Sequence, residues 1–141
     1  VEVGGEIRVS GANPHGIPWR IAVEKPDPGT RDVVATVRLE DAAIATSGDY
    51  RNFFEVDGVR YSHTIDPRTG RPVRHDLVSV TVIHPSATMA DAWATALTVL
   101  GAEHALALAA SEELAVYLIS RDGDGFRSAS SPAMAPLLGM E

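Results

Sequence analysis

The stretch Leu77-Val78-Ser79-Val80-Thr81-Val82-Ile83-His84 and the residues that follow it, 86–100, decide the fold. The first stretch is rich in β-branched residues and predicts a strand. The second, SATMADAWATALTVL, has apolar residues at helical spacing and ends before Gly101, a natural C-cap. A strand followed directly by a helix is therefore the centre of the prediction.

Outward from this pair, strands dominate the earlier part of the chain and helices the later part. The Gly4-Gly5 pair interrupts the first strand, Asp57-Gly58 marks a tight hairpin, and residues 63–76 form a polar loop. Strands are predicted at residues 1–9, 19–24, 33–39, 42–46, 53–56, 59–62, 114–120 and 125–128. Further helices are predicted at 103–110 and 132–138, and Trp19, Trp93, Phe53 and Phe54 are expected in the core. This order predicts one α+β domain over residues 1–141, an antiparallel sheet with helices packed on one face.

Composition narrows the class of protein. The chain has 141 residues, 45% of them hydrophobic, a formal net charge of −7 and no cysteine. The acidic balance disfavours a nucleic-acid surface, which needs a basic excess. Without cysteine, disulfides, thiolate nucleophiles and cysteine-based metal sites are excluded.

The helix at residues 86–100 carries an oxygen pair that suits a metal. Asp91 and Thr95 are four residues apart, so both side chains point from one helical face. A carboxylate with a hydroxyl suits a hard cation such as Mg²⁺. Two structural alternatives stay open: Thr88 and Asp91 fit a capping box, and Thr95 can return its hydroxyl to a carbonyl of the preceding turn.

A second candidate lies in the loop Tyr61-Ser62-His63-Thr64-Ile65-Asp66-Pro67-Arg68-Thr69-Gly70-Arg71-Pro72. Histidine is the side chain best suited to exchange a proton near neutral pH, and arginines hold phosphate oxygens. The alternative is a structural turn, with Asp66 as its cap, Gly70 in the left-handed region and solvated arginines. Two weaker anion or ligand signals are Ala45-Thr46-Ser47-Gly48-Asp49-Tyr50, read as a turn after a strand, and Gly4-Gly5-Glu6.

Together these stretches are more specific than any one of them. Gly4-Gly5-Glu6-Ile7, Trp19-Arg20-Ile21-Ala22-Val23-Glu24, residues 45–50 and residues 61–72 resemble consecutive motifs of the ApbE family. Phe53-Phe54, Ser79-Val80-Thr81-Val82 and Ala90-Asp91-Ala92-Trp93-Ala94-Thr95-Ala96-Leu97-Thr98-Val99-Leu100-Gly101 continue in the same order. The resemblance runs from about residue 1 to about residue 120. It implies the sheet-and-helix fold of that family, which is similar to the T-fold.

The resemblance implies a Mg²⁺-dependent FAD:protein FMN transferase, with FAD as substrate and a threonine of a target flavoprotein as acceptor. It implies that Asp91 and Thr95 hold magnesium and that His63 is the catalytic base. The residues implied to contact the flavin dinucleotide are Gly5, Glu6, Thr46, Ser47, Gly48, Ser62, Asp66 and Arg68. The alternatives are an FAD pyrophosphatase, a non-catalytic flavin-binding maturation factor and a structural interaction domain.

Family members are about twice as long, so the chain is expected to be the C-terminal part of such an enzyme. The N-terminal half then supplies part of the flavin pocket and a further main-chain metal ligand. The resemblance also implies a periplasmic or cell-envelope location, with the cytoplasm as the alternative. Contact with a membrane is expected only through a lipoprotein anchor upstream of residue 1, and no nucleic acid is expected as a partner.

Overall fold

A six-stranded antiparallel sheet lies at the centre of the computed structural model, which describes residues 1–27, 29–48, 53–56 and 59–139. Two helices follow its central strand. In chain order the elements are β1 (Glu2–Val3), β2 (Glu6–Arg8), β3 (Trp19–Glu24), β4 (Val33–Leu39), β5 (Ala43–Gly48), β6 (Phe53–Val56), β7 (Val59–Ser62), β8 (Ile65–Asp66), β9 (Arg71–Pro72), β10 (Leu77–His84), α1 (Ala87–Leu100), α2 (Ala102–Ser111), β11 (Ala115–Asp122), β12 (Gly125–Ser130) and a 3₁₀ helix (Ala135–Leu137).

Strand β10 organises the sheet. The strand order is β1-β2-β5-β10-β11-β12, and β10 pairs with β5 on one side and β11 on the other. Thr81 lies opposite both Thr46 and Tyr117 in this register. Every residue of β10 except His84 is buried, because both faces of the sheet are covered.

The helices cover one face of the sheet, as predicted. Val80 and Val82 of β10 and Leu118 of β11 pack with Leu97 of α1 and Ala105 of α2 in one buried cluster. Alternate residues of a strand point to the same face, so this apolar set follows from the sequence pattern. The α+β prediction with helices on one face is confirmed.

The start of α1 differs from one of the predicted alternatives. Ser86 is the N-cap, and its hydroxyl accepts the amide proton of Met89 at 3.4 Å. Because the helix begins at Ala87, Asp91 lies beyond the first turn, and the Thr88–Asp91 capping box is wrong. Gly101 ends the helix with a φ of 79°, as predicted from its position.

The hairpin of β3 and β4 covers the opposite face. Val23, Val37 and Leu39 of this hairpin pack with Ile44 of β5 and Met134 near the C-terminal end. Val37 also forms a backbone bridge to Leu138. The sheet is therefore enclosed between helices on one side and a hairpin on the other.

Several local predictions need correction. The polar loop at residues 63–76 contains a small hairpin, in which β8 pairs with β9. The final helix is only one 3₁₀ turn long, because Pro136 supplies no amide hydrogen to continue it. Trp19 and Phe54 are exposed and lie outside the core; Trp19 shares a strand face with Ile21 and Val23 but stands at the first position of β3, where the strand begins. Trp93 is half-buried beside the helix cluster, whereas the side chain of Phe53 and the Asp57-Gly58 turn lie outside the described residues. Within the described residues, neither helix has the length and apolarity to cross a bilayer.

Candidate functional site

The oxygen pair predicted on α1 is accessible. Asp91 and Thr95 are both exposed and lie one turn apart on the helix. The hydroxyl oxygen of Thr95 lies 3.1 Å from the hydroxyl oxygen of Ser47 on β5. The alternative interpretation, a bond from Thr95 to a carbonyl of the preceding turn, is absent from the described contacts; it is Thr98 that makes such a bond, donating to the carbonyl of Ala94 at 2.8 Å.

These two side chains fit a hard cation in an open site. A threonine hydroxyl has one proton and two lone pairs, so its contact with Ser47 leaves an oxygen lone pair available. The carboxylate of Asp91 makes no hydrogen bond or ion pair with any described residue. Among the described residues no cluster of three or more His, Asp or Glu side chains is present. Two protein oxygens with the other positions left to water and phosphate match the preference of Mg²⁺.

Strand β5 places two predicted flavin contacts on opposite faces of the sheet. The sequence predicted that the strand stops at Thr46 and a turn follows, but pairing with β10 continues through Ser47 and Gly48. Because side chains alternate along a strand, Ser47 faces α1 while Thr46 faces the hairpin side. The Thr46 hydroxyl lies 2.8 Å from that of Thr81 on β10, which fixes its orientation.

A cavity of about 480 Å³ opens on the Thr46 side of the sheet. Gly5, Thr46 and Gly48, three of the predicted flavin contacts, line it together. Glu6 is not among its described lining residues, and the Glu6 carboxylate instead lies against Gly4. The Gly4-Gly5 turn needs positive φ at both positions, 68° and 109°, which brings main chain to the cavity wall without side chains.

Arg20 on β3 is a lining residue that the motif reasoning did not single out as a contact. It forms part of the opposite wall with Ala22 and Glu24 of the same strand. The alternation of the strand sequence could have identified Arg20 as a residue on the polar face. Arg20, Ala22 and Glu24 share that face, and the other face carries the apolar residues Ile21 and Val23. A guanidinium in this wall provides a cation for an anionic ligand.

The candidate base lies at the end of the β6–β7 hairpin. His63 follows the last residue of β7 and is exposed. Its neighbour Ser62 is 5% exposed, and the Ser62 hydroxyl accepts the amide proton of Thr64 at 3.1 Å. This contact makes Ser62 a local brace for the chain on both sides of His63.

Asp66 and Arg68, both predicted to contact the dinucleotide, pair with each other. Arg68 donates to the Asp66 carboxylate through Nε at 3.0 Å and through Nη2 at 2.9 Å, and its backbone amide donates at 2.9 Å. Gly70 closes the turn with a φ of 66° and donates to the carbonyl of Asp66 at 2.8 Å. The structural turn that was the alternative prediction for this loop is therefore present. Arg68, however, is paired with Asp66, whereas that alternative expected solvated arginines.

This pairing predicts a measurable shift. The side-chain hydrogen bond from Arg68, aided by its backbone amide, holds the pKa of the Asp66 carboxyl below its ordinary value. In Arg68→Gln we expect that pKa to rise towards the ordinary range in a side-chain carboxyl NMR titration. Because the folded pKa is lowered, any stability from the pair is present above the ordinary carboxyl pKa and is lost as pH falls through the lowered one. Equal Asp66 pKa values in the two proteins would contradict the pairing.

Comparison with known proteins agrees with the resemblance read from the motifs. A model of the ApbE family matches residues 1–118. The FAD:protein FMN transferase of Vibrio cholerae serotype O1 is 51% identical over 138 residues, 98% of this chain and 41% of that protein. The FAD:protein FMN transferase of Escherichia coli strain K12 is 50% identical over 138 residues, 98% of this chain and 39% of that protein.

Solved structures show the same fold. The flavin transferase ApbE from Vibrio cholerae superposes with a TM-score of 0.83 at 48% identity, over 96% of this chain and 43% of that one. The apo form of the Pseudomonas stutzeri flavinyl transferase ApbE gives 0.82 at 45% identity, over 99% and 43%. The chain therefore spans less than half the length of the relatives that it matches. With the family model matched over residues 1–118 and relatives about half identical across nearly the whole chain, this protein belongs to the ApbE family.

Proposed function

We propose that the complete protein is a Mg²⁺-dependent FAD:protein FMN transferase that attaches FMN to a threonine hydroxyl of a target flavoprotein and releases AMP. The observation that carries this proposal is the 3.1 Å contact between Ser47 and Thr95. It joins the oxygen pair on α1 to the strand that also supplies Thr46 and Gly48 to the cavity. One strand thus links a candidate cation site to a candidate dinucleotide site.

The cavity provides the features that a flavin dinucleotide needs. Main chain at Gly5 and Gly48 allows close approach of a flat ring or a phosphate, and the fixed Thr46 hydroxyl offers a polar contact. Arg20 supplies positive charge in a wall that also carries carboxylates. The names of the relatives, which specify FAD and FMN, support this ligand.

Asp91 and Thr95 are the residues that would hold magnesium. When bound, the ion would neutralise charge on the pyrophosphate as a Lewis acid. Ser47 orients the Thr95 hydroxyl from the neighbouring strand, so rotation of that side chain is restrained before any ligand arrives.

The proposed reaction is a substitution at phosphorus. The acceptor hydroxyl oxygen forms a bond to the FMN-side phosphorus of FAD as the pyrophosphate P–O bond breaks, and AMP leaves with that bridging oxygen. His63 takes the hydroxyl proton; its exposed position at the end of β7 allows a protein substrate to reach it. The product is a phosphoester between threonine and FMN.

The experiment that tests this proposal uses the full-length protein with FAD and Mg²⁺, with and without an acceptor flavoprotein. We expect covalent flavin fluorescence on the acceptor and equimolar AMP, both removed by a chelator. Release of free FMN and AMP in equal amounts, independent of acceptor, would indicate an FAD pyrophosphatase and contradict the transferase assignment. Tight FAD binding without AMP release would replace it by a flavin-binding maturation factor.

A further inference from the structure

A second cavity, of about 500 Å³, is lined by residues that lie on both sides of the candidate base in the chain, and it is separate from the cavity that contains Gly5 and Thr46. Its walls come from β7, β9 and the turn between β8 and β9, with Tyr61, Asp66, Thr69, Arg71, Pro72 and Arg74 among its lining residues. It shares no described lining residue with the cavity that contains Gly5 and Thr46. A transferase has two substrates, so a second cavity is suited to the second one.

The charge of this cavity is opposite to that of the protein. Its lining carries two basic residues, Arg71 and Arg74, and one acidic residue, Asp66, in a chain of net charge −7. That one acid, Asp66, is already neutralised by its bidentate pairing with Arg68. The side chain of Arg71 makes no hydrogen bond or ion pair with any residue in the described part of the chain. The cavity is therefore a local basic site on an acidic surface.

Aromatic rings restrain Arg74, the second basic residue of this cavity. The ring of Tyr61 stacks on that of Phe54, with centroids 5.4 Å apart and planes 10° from parallel. The guanidinium carbon of Arg74 lies 5.3 Å from the centroid of the Tyr61 ring. Stacking restrains the guanidinium while leaving its edge donors available for a planar carboxylate. Phe54 is 48% exposed, which leaves the aromatic rings open to a partner.

The cavity is tied to His63 through the backbone. Tyr61 precedes His63 by two residues, so their Cα atoms lie within roughly 7.6 Å. The amide of Val73 donates to the carbonyl of Thr64, the residue after His63, at 3.0 Å. An extended peptide advances about 3.3 Å per residue, so a threonine held at His63 places side chains a few residues away over Arg71 and Arg74.

We propose that this cavity is the docking site for an acidic segment of the acceptor protein, whose Asp or Glu side chains pair with Arg71 and Arg74. The inference rests on the proposed transferase function. Charge complementarity selects this partner, since the net negative charge of this chain repels acidic segments and the basic site reverses that repulsion at one place. The competing anion is the pyrophosphate of FAD, the role that sequence reasoning considered for Arg71.

The test measures two affinities of the full-length enzyme. The probes are fluorescein-labelled dodecapeptides with a central threonine, flanked by Asp and Glu in one peptide and by Asn and Gln in its matched control. FAD affinity is measured in parallel by flavin fluorescence. The variants are the pair Arg71→Gln with Arg74→Gln, the pair Arg71→Lys with Arg74→Lys, and Arg31→Gln as an exposed arginine outside both cavities.

We expect wild type to prefer the acidic peptide, and the glutamine pair to lose about tenfold in affinity for it, given the strength of exposed charge contacts. The lysine pair keeps the positive charge but loses the planar donors and the stacking, so its affinity should fall between those of wild type and the glutamine pair, while Arg31→Gln and all FAD affinities stay unchanged. The inference is overturned if wild type shows no preference, if the glutamine pair binds the acidic peptide as well as wild type does, or if FAD affinity falls in parallel. Absence of FAD binding by wild type would instead remove the proposed function, so the two failures are distinct.

Discussion

Asp91→Ala should reduce magnesium-dependent FMN transfer by the complete enzyme by about a thousandfold or more, while leaving the protein folded. The carboxylate is the charged half of the oxygen pair, and losing it removes both ion binding and the charge stabilisation that the ion supplies. The fold should survive because Asp91 is exposed and has no partner among the described residues, and alanine is favoured within a helix. Transfer is measured as flavin fluorescence covalently attached to the acceptor, and folding by thermal unfolding.

The matched control is Glu103→Ala, which removes an exposed carboxylate from α2. We expect wild-type transfer and an unchanged magnesium dependence from that variant. Wild-type transfer by Asp91→Ala would remove Asp91 from the metal site. An unfolded Asp91→Ala protein would contradict the claim that this side chain has no structural role.

His63→Ala should lower the rate of transfer by roughly 10²- to 10⁴-fold, the usual contribution of a positioned general base. Because His63 is proposed to act on the acceptor hydroxyl, the loss should appear in the rate constant of the chemical step. The rates of the variant and of wild type are compared at several pH values between about pH 6 and pH 9. Single-turnover kinetics with preloaded FAD isolates this step, and added imidazole should restore part of the rate.

His104→Ala is the comparison variant, since His104 is an exposed histidine on α2 that lines neither of the two cavities. It should keep the wild-type rate and pH profile. If His63→Ala and wild type transfer FMN equally across that pH range, another group takes the proton and the assignment fails. An equal loss in both variants would indicate a nonspecific effect.

Much of the fold follows from local pattern. The bounds of β3, β4 and β10 coincide with the predicted residues 19–24, 33–39 and 77–84, because each stretch carries strand-forming residues up to a clear break. The C-terminal end of α1 is likewise set by Gly101. These boundaries are local properties of the chain, and no tertiary contact is needed to specify them.

Other features depend on tertiary contacts and could not be read from the chain. The sequence of β5 looks like a turn at Ser47-Gly48, but a ladder with β10 extends the strand and sends Thr46 and Ser47 to opposite faces. Ser86 and Thr88 both offer a hydroxyl for the helix cap, and local pattern does not separate them.

In the candidate site too, some features follow from local sequence and others depend on tertiary contacts. The four-residue spacing of Asp91 and Thr95 places both on one helical face, whereas the contact of Thr95 with Ser47 needs two elements that are distant in the chain. The cavity with Arg20 also arises only when β3 approaches β5. Roles for these residues came from family resemblance, since residue types at a given spacing serve structure as readily as chemistry.

The central claim is that one turn of α1 holds the divalent ion through Asp91 and Thr95. The most direct test is a crystal structure of the full-length enzyme with FAD and Mn²⁺ in place of Mg²⁺, in which anomalous scattering locates the ion. We predict one peak bonded to the Asp91 carboxylate and the Thr95 hydroxyl, at roughly 2.1 Å, and shared with phosphate oxygens. A fully occupied ion elsewhere, or bound dinucleotide with no ion at these two side chains, would contradict the account.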